Sequence, residues 1–67
     1  MFQNYTGWAI VMVIAHGYPN HNTETSIAFG KTKNEMLNIL KNEKSLIYEA
    51  IIYYVVDGIA EERYKEI

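Results

Sequence analysis

The 67 residues are 49% hydrophobic and 13% aromatic, with no cysteine and a net charge of −2. That composition excludes a disulfide scaffold or a thiolate metal centre, and argues against disorder, whose mark is low hydrophobicity with high net charge. Lys31, Lys33, Lys41 and Lys44 are spread out, and Arg63 and Lys65 lie among Glu61, Glu62 and Glu66, so the concentrated basic footprint of a double-stranded nucleic acid binder is missing.

A chain this short buries only about 60% of its unfolded surface. The expectation is therefore a single small domain spanning 1–67, with a partner or a second copy as a ready source of extra core. The longest apolar run, over 8–15, is far short of the ~20 residues that a membrane-spanning helix needs. No basic leader precedes it, so neither a membrane association nor a signal peptide is expected. With no cysteines to serve an oxidising compartment, the expected location is cytoplasmic.

In chain order, 8–15 reads as the first strand. Trp8, Ile10, Met12 and Ile14 fall on one side and Ala9, Val11, Val13 and Ala15 on the other. Apolarity on both sides marks a central strand; a buried helix is the competing reading. The segment Gly17-Tyr18-Pro19-Asn20-His21-Asn22 is turn chemistry throughout. A second strand follows over 23–29, where alternation predicts Thr25, Ile27 and Phe29 in the core and Glu24, Ser26 and Ala28 outside.

Gly30 ends that strand. Thr32 is then a good N-cap, and Glu35 three residues on completes a capping box. Met36, Leu37, Ile39 and Leu40 make an apolar stripe at helical spacing, with Lys33, Asn34, Asn38 and Lys41 opposite. The helix is expected to end near Asn42.

From Ser45 a third strand leads through Ile51-Ile52-Tyr53-Tyr54-Val55-Val56 to Asp57-Gly58 and a polar fourth strand. Asp-Gly between such runs is the strongest short-range hairpin signal, because both residues tolerate positive φ. A single helix over 45–65 is the alternative; it would carry Gly58 in its interior at a cost of about 1 kcal/mol. A regular two-residue hairpin pairs Val56 with Ile59, Val55 with Ala60, Tyr54 with Glu61, Tyr53 with Glu62, Ile52 with Arg63 and Ile51 with Tyr64. Ile51, Tyr53, Val55, Ala60 and Tyr64 then share a face with Glu62 as its only charge, the better candidate for the core. Ile52, Tyr54, Val56 and Ile59, with Glu61 and Arg63, form the second face.

The expected fold class is α+β, a β-β-α-β-β chain forming a four-stranded antiparallel sheet with one helix on one face. One short helix leaves the far face open. An apolar centre with a charged margin is the build of an interaction surface, so Ile52, Tyr54, Val56, Ile59, Glu61 and Arg63 are the expected partner-binding residues. A covering tail is the structural alternative.

Chemistry is sparse. His16 and His21 with Asn20, Asn22 and Glu24 fit no named metal motif, and neither a metal nor a cofactor is expected. Gly30-Lys31-Thr32 lacks the upstream glycine of a phosphate loop, although Lys31, Lys33 and the helix N-terminus could hold an anion, with Tyr18 as a stacking surface. Glu61 and Glu62 point to opposite faces of a strand, so they are no carboxylate dyad. No nucleophile motif is present, and the protein is not expected to be an enzyme.

The expectation is a small protein-binding module, an inhibitor or adaptor of the kind that phages encode as accessory proteins, docking through the open face or an edge strand. The alternative is a homo-oligomer, at its smallest a homodimer, holding a nucleotide-like ligand between subunits. A permanent structural subunit is the third reading.

Overall fold

The computed structural model describes residues 3–15, 22–44 and 46–66. The chain is α+β in the order β1 (Gly7–Ala15), β2 (Thr23–Gly30), α1 (Lys33–Asn42), β3 (Leu46–Val56) and β4 (Ile59–Lys65). The strands form one antiparallel sheet ordered β2-β1-β3-β4. β1, apolar on both sides, is central as expected, and 46–65 folds as a hairpin rather than as one helix. The loop expected at 17–22 lies outside the described residues except for Asn22.

The β3–β4 turn is the tight Asp-Gly turn that the sequence calls for. Asp57 has φ 49° and Gly58 φ 82°, the two consecutive positive values of a turn whose twist matches its flanking strands. Val56–Ile59 and Val55–Ala60 pair as a regular hairpin requires. The register then shifts, and Tyr54 faces Glu62, Tyr53 faces Arg63, Ile52 faces Tyr64 and Ile51 faces Lys65. Glu61 is the extra residue of a bulge, so every β4 side chain beyond it lies on the face opposite to that of the regular hairpin.

Helix α1 begins at its predicted cap. Thr32 Oγ1 accepts the Glu35 N–H at 3.2 Å, and the Glu35 carboxylate accepts the Lys31 N–H at 2.8 Å. The reciprocal contact thus reaches one residue further back than in a standard capping box. The helix ends at Asn42, with Glu43 as its C-cap.

Its apolar stripe lies on Ile10, Met12, Ile14, Ala50 and Ile52; Met36 is fully buried, and Leu37, Ile39 and Leu40 pack around it. This reverses the expected choice of faces. Ile52 is 0% exposed beneath α1, whereas Ile51 and Tyr53 point to the helix-free side with Val11. Likewise Ile27 and Phe29 are 38% and 50% exposed, while Ala28 packs into the helix-side core.

Two physical reasons account for the reversal. β2 and β3 both run antiparallel to β1 and so parallel to each other, and α1 is their crossover. Such crossovers are right-handed almost without exception, so topology selects the covered face even where both faces are apolar. Close helix packing also needs small residues beneath it. A Cβ at Gly30 would meet the Met36 Cε at 2.6 Å and the Glu35 carboxylate more closely still, and Ala50, at 0% exposure, serves the same end on β3.

Candidate functional site

The helix-free face of the sheet is built by alternation. β1 contributes Ala9, Val11 and Val13; β2 sets Phe29, Ile27 and Thr25 opposite them; β3 places Val55, Tyr53, Ile51 and Glu49 on the other side. Past the bulge, β4 adds Arg63 opposite Tyr53 and Lys65 opposite Ile51. The Lys65 ammonium lies 3.2 Å from the Glu49 carboxylate, both well exposed. The result is an apolar centre with Thr25 along one margin and Glu49, Arg63 and Lys65 along the other.

One end of this face is closed. Tyr5 folds over Ala9 and Val55, which are fully buried with Val11 and Tyr53 packed alongside. Its ring meets Phe29 edge-on at 4.8 Å, and its hydroxyl proton is shared between the carbonyls of Trp8 at 2.8 Å and Gly30 at 3.0 Å. The covering tail weighed from the sequence concerns the face of Ile52, Tyr54, Val56 and Ile59; Tyr5 instead lies on the opposite face, and only at this end of it. Val11, Val13, Ile51 and Tyr53 are only half-buried, and Ile27 is 38% exposed.

The sequence-derived partner-binding residues are divided by this arrangement. Ile52 belongs to the core, so Ile52→Glu would place a carboxylate beneath α1 and report on folding rather than on docking. Tyr54 is half-buried on the helix side, where its ring lies 5.2 Å from that of Trp8. Val56 and Ile59 pair at the turn, with Ile59 66% exposed, and Glu61 is the exposed bulge residue. Of the six, only Arg63 borders the helix-free face.

Of the residues considered for an anion or nucleotide, Lys33 sets its ammonium 3.6 Å from the centroid of the Tyr64 ring, Lys31 is exposed, and Tyr18 lies outside the described residues. Tyr64 also donates its hydroxyl to the Glu62 carboxylate. That bond first, then partial burial, then the Glu62 charge itself hold its pKa above the ordinary value of 10.0.

Among the described residues no group of three or more His, Asp or Glu side chains comes together to hold a metal; His16 and His21 lie outside them. No described helix is long and apolar enough to cross a membrane. Sequence reasoning missed Val11, Val13, Ile27, Ile51 and Tyr53 as the residues of the helix-free face, Ile27 exposed and the others half-buried. The small-residue stripe Ser26, Ala28, Gly30 and Ala50 was the signal that marks the other face as the one beneath the helix.

Fold and site together define a small two-layer α+β domain whose sheet is covered on one side. Comparison with protein-family models, curated proteins and solved structures finds no match for this chain.

Proposed function

We propose that this chain is a small non-enzymatic protein-binding module acting in the cytoplasm, and that it docks through the helix-free face of its sheet. The observation that carries this reading is the exposure of Ile27 and Phe29 beside half-buried Val11, Val13, Ile51 and Tyr53, on a face that no helix or strand among the described residues covers. Contiguous apolar surface with a polar margin is characteristic of interaction sites. Tyr53 and Arg63, neighbours across β3 and β4, are residue types that recur in binding hot spots.

Val13 is the position for a clean test, because it faces Thr25 on one side and Glu49 on the other. Val13→Lys therefore sets a positive charge in the middle of the face next to a carboxylate that can receive it. A photo-crosslinking residue placed at position 13 or 27 in cells that produce the protein is expected to capture a discrete partner, and one at Asn38 on the outer side of α1 is not. Val13→Lys should abolish capture from position 27 while circular dichroism remains that of the folded chain. Equal capture from position 38, or capture that survives Val13→Lys, would refute the proposal.

A further inference from the structure

Helix α1 covers only part of its own side of the sheet. It packs across β1, β2 and β3, and its backbone does not reach β4. Beside its N-terminal end the same side carries three rings, Trp8 on β1, Tyr54 on β3 and Tyr64 on β4, all half-buried. The Trp8 ring centroid lies 5.2 Å from that of Tyr54 and 6.1 Å from that of Tyr64. Tyr54 and, next to it towards the hairpin turn, Val56 and Ile59 belong to neither core cluster, and Ile59 is 66% exposed. The result is an aromatic ledge that opens beside the helix.

The charges on this ledge fix the sign of its ligand. Glu62 faces Tyr54 across the hairpin and accepts the Tyr64 hydroxyl, and exposed Glu61 precedes it. Two carboxylates at the margin disfavour an anion. The rings favour a cation, because the electron-rich face of Trp or Tyr attracts an ammonium or guanidinium group. The protein itself shows the preference: Lys33, half-buried at the start of α1, holds its ammonium 3.6 Å from the Tyr64 ring centroid. A lysine stem is flexible and its ammonium is strongly hydrated, so this hold is exchangeable.

We infer that the ledge binds a basic side chain of a partner protein, a lysine or an arginine, which takes the place of Lys33 on the Tyr64 ring. The incoming cation lies beside Glu62, its aliphatic stem lies along Tyr54, and Ile59 receives the apolar residue next to it. Lys33 holds the position in the free protein and competes with the ligand. The site is on the opposite side of the sheet from the proposed docking face and stands independently of it.

Trp8 is the only tryptophan of the chain, so its fluorescence reports on the ledge. The probes are three short peptides that alternate glycine with arginine, with lysine or with uncharged norleucine. The arginine or the lysine peptide is expected to give a saturable change in Trp8 fluorescence and in the Tyr54 and Tyr64 ring resonances, and the norleucine peptide is not. Glu62→Gln should weaken binding roughly two- to fivefold, and Lys33→Gln should tighten it by a similar factor. These opposite signs cannot arise from misfolding. Lys41→Gln makes the same change in net charge in the last turn of α1 and should have no such effect, which separates exchange at the ring from long-range attraction. Tyr54→Leu keeps an apolar contact, removes the ring face and should weaken binding. No saturable response to either cationic peptide would overturn the inference, as would an equal response to the norleucine peptide. So would a Lys33→Gln variant that binds no more tightly than Lys41→Gln.

Discussion

At the scale of single residues, the structure separates two isoleucines that look alike in the sequence. Ile52 is fully buried among Ile10, Met36 and Ala50, whereas Ile27 is 38% exposed on the helix-free face. Truncating a fully buried isoleucine removes its transfer free energy and leaves a cavity, at a cost of about 2–5 kcal/mol. Ile52→Ala should therefore lower the urea midpoint severely, while Ile27→Ala should cost under about 1 kcal/mol. Similar losses for the two would mean that the faces are not assigned correctly. A second residue-level expectation concerns Tyr64, whose proton is held by the bond to Glu62. The folded state binds that proton more tightly than the unfolded chain, so the contribution is complete below pH 10 and is lost as pH rises through the raised folded value. In Glu62→Gln, the ionisation of Tyr64 followed by its ring resonances should move down towards the ordinary 10.0. An unmoved midpoint would show that Glu62 is not its partner.

At the scale of elements, the helix rests on a short start signal. Thr32 supplies one side-chain acceptor to the first turn, and the Glu35 carboxylate turns back to Lys31. Thr32→Ala removes the first and should cost about 1 kcal/mol, read by denaturation; Thr32→Ser should recover most of it, and a Ser variant as weak as Ala would rule out the cap as the cause. This part of the fold was legible in the sequence because it is local: the cap, the Met36–Leu40 stripe, the Asp57-Gly58 turn and the two-sided β1 each depend on neighbours within a few positions. The face assignment was not legible, because it depends on two non-local facts. One is the bulge at Glu61, which a regular Asp-Gly hairpin does not predict and which carries Tyr64 from the Ile51 side to the Ile52 side. The other is strand order: placing β1 between β2 and β3 turns α1 into a crossover and commits it to one side. Hydrophobicity misled most on β2, where the covered residues are Ser26, Ala28 and Gly30 because α1 lies too close for larger ones.

At the scale of the whole molecule, a sheet of four strands under one ten-residue helix needs its ends tied, and Tyr5 and Thr6 do this. The Tyr5 hydroxyl reaches Gly30 at the end of edge strand β2, while the Tyr5 carbonyl accepts the Gly58 N–H at 2.8 Å at the start of edge strand β4. Thr6 adds its Oγ1 to the Asp57 N–H at 3.0 Å. One dipeptide thus joins both edges of the sheet across the two central strands. Gly7, with φ 146°, lets the chain make this turn, and a Cβ there would sit 2.6 Å from the Tyr5 hydroxyl and 3.2 Å from the Gly30 carbonyl, so the clamp has no room for a larger residue. Tyr5→Phe keeps the ring on Phe29 and removes the shared hydroxyl, at a cost of about 1 kcal/mol. Tyr5→Ala also uncovers Ala9 and Val55 and should cost about 3 kcal/mol, a large part of the stability available to so small a domain. The measurement that isolates the clamp is amide hydrogen exchange. Tyr5→Ala should speed exchange near Gly30 and near Gly58 together, although these sites lie on opposite edges, while the β1–β3 centre slows or speeds only with global stability. Faster exchange at the turn alone would reduce Tyr5 to a local contact. Matching changes at both edges would show that the segment before β1 holds the sheet together from outside its core.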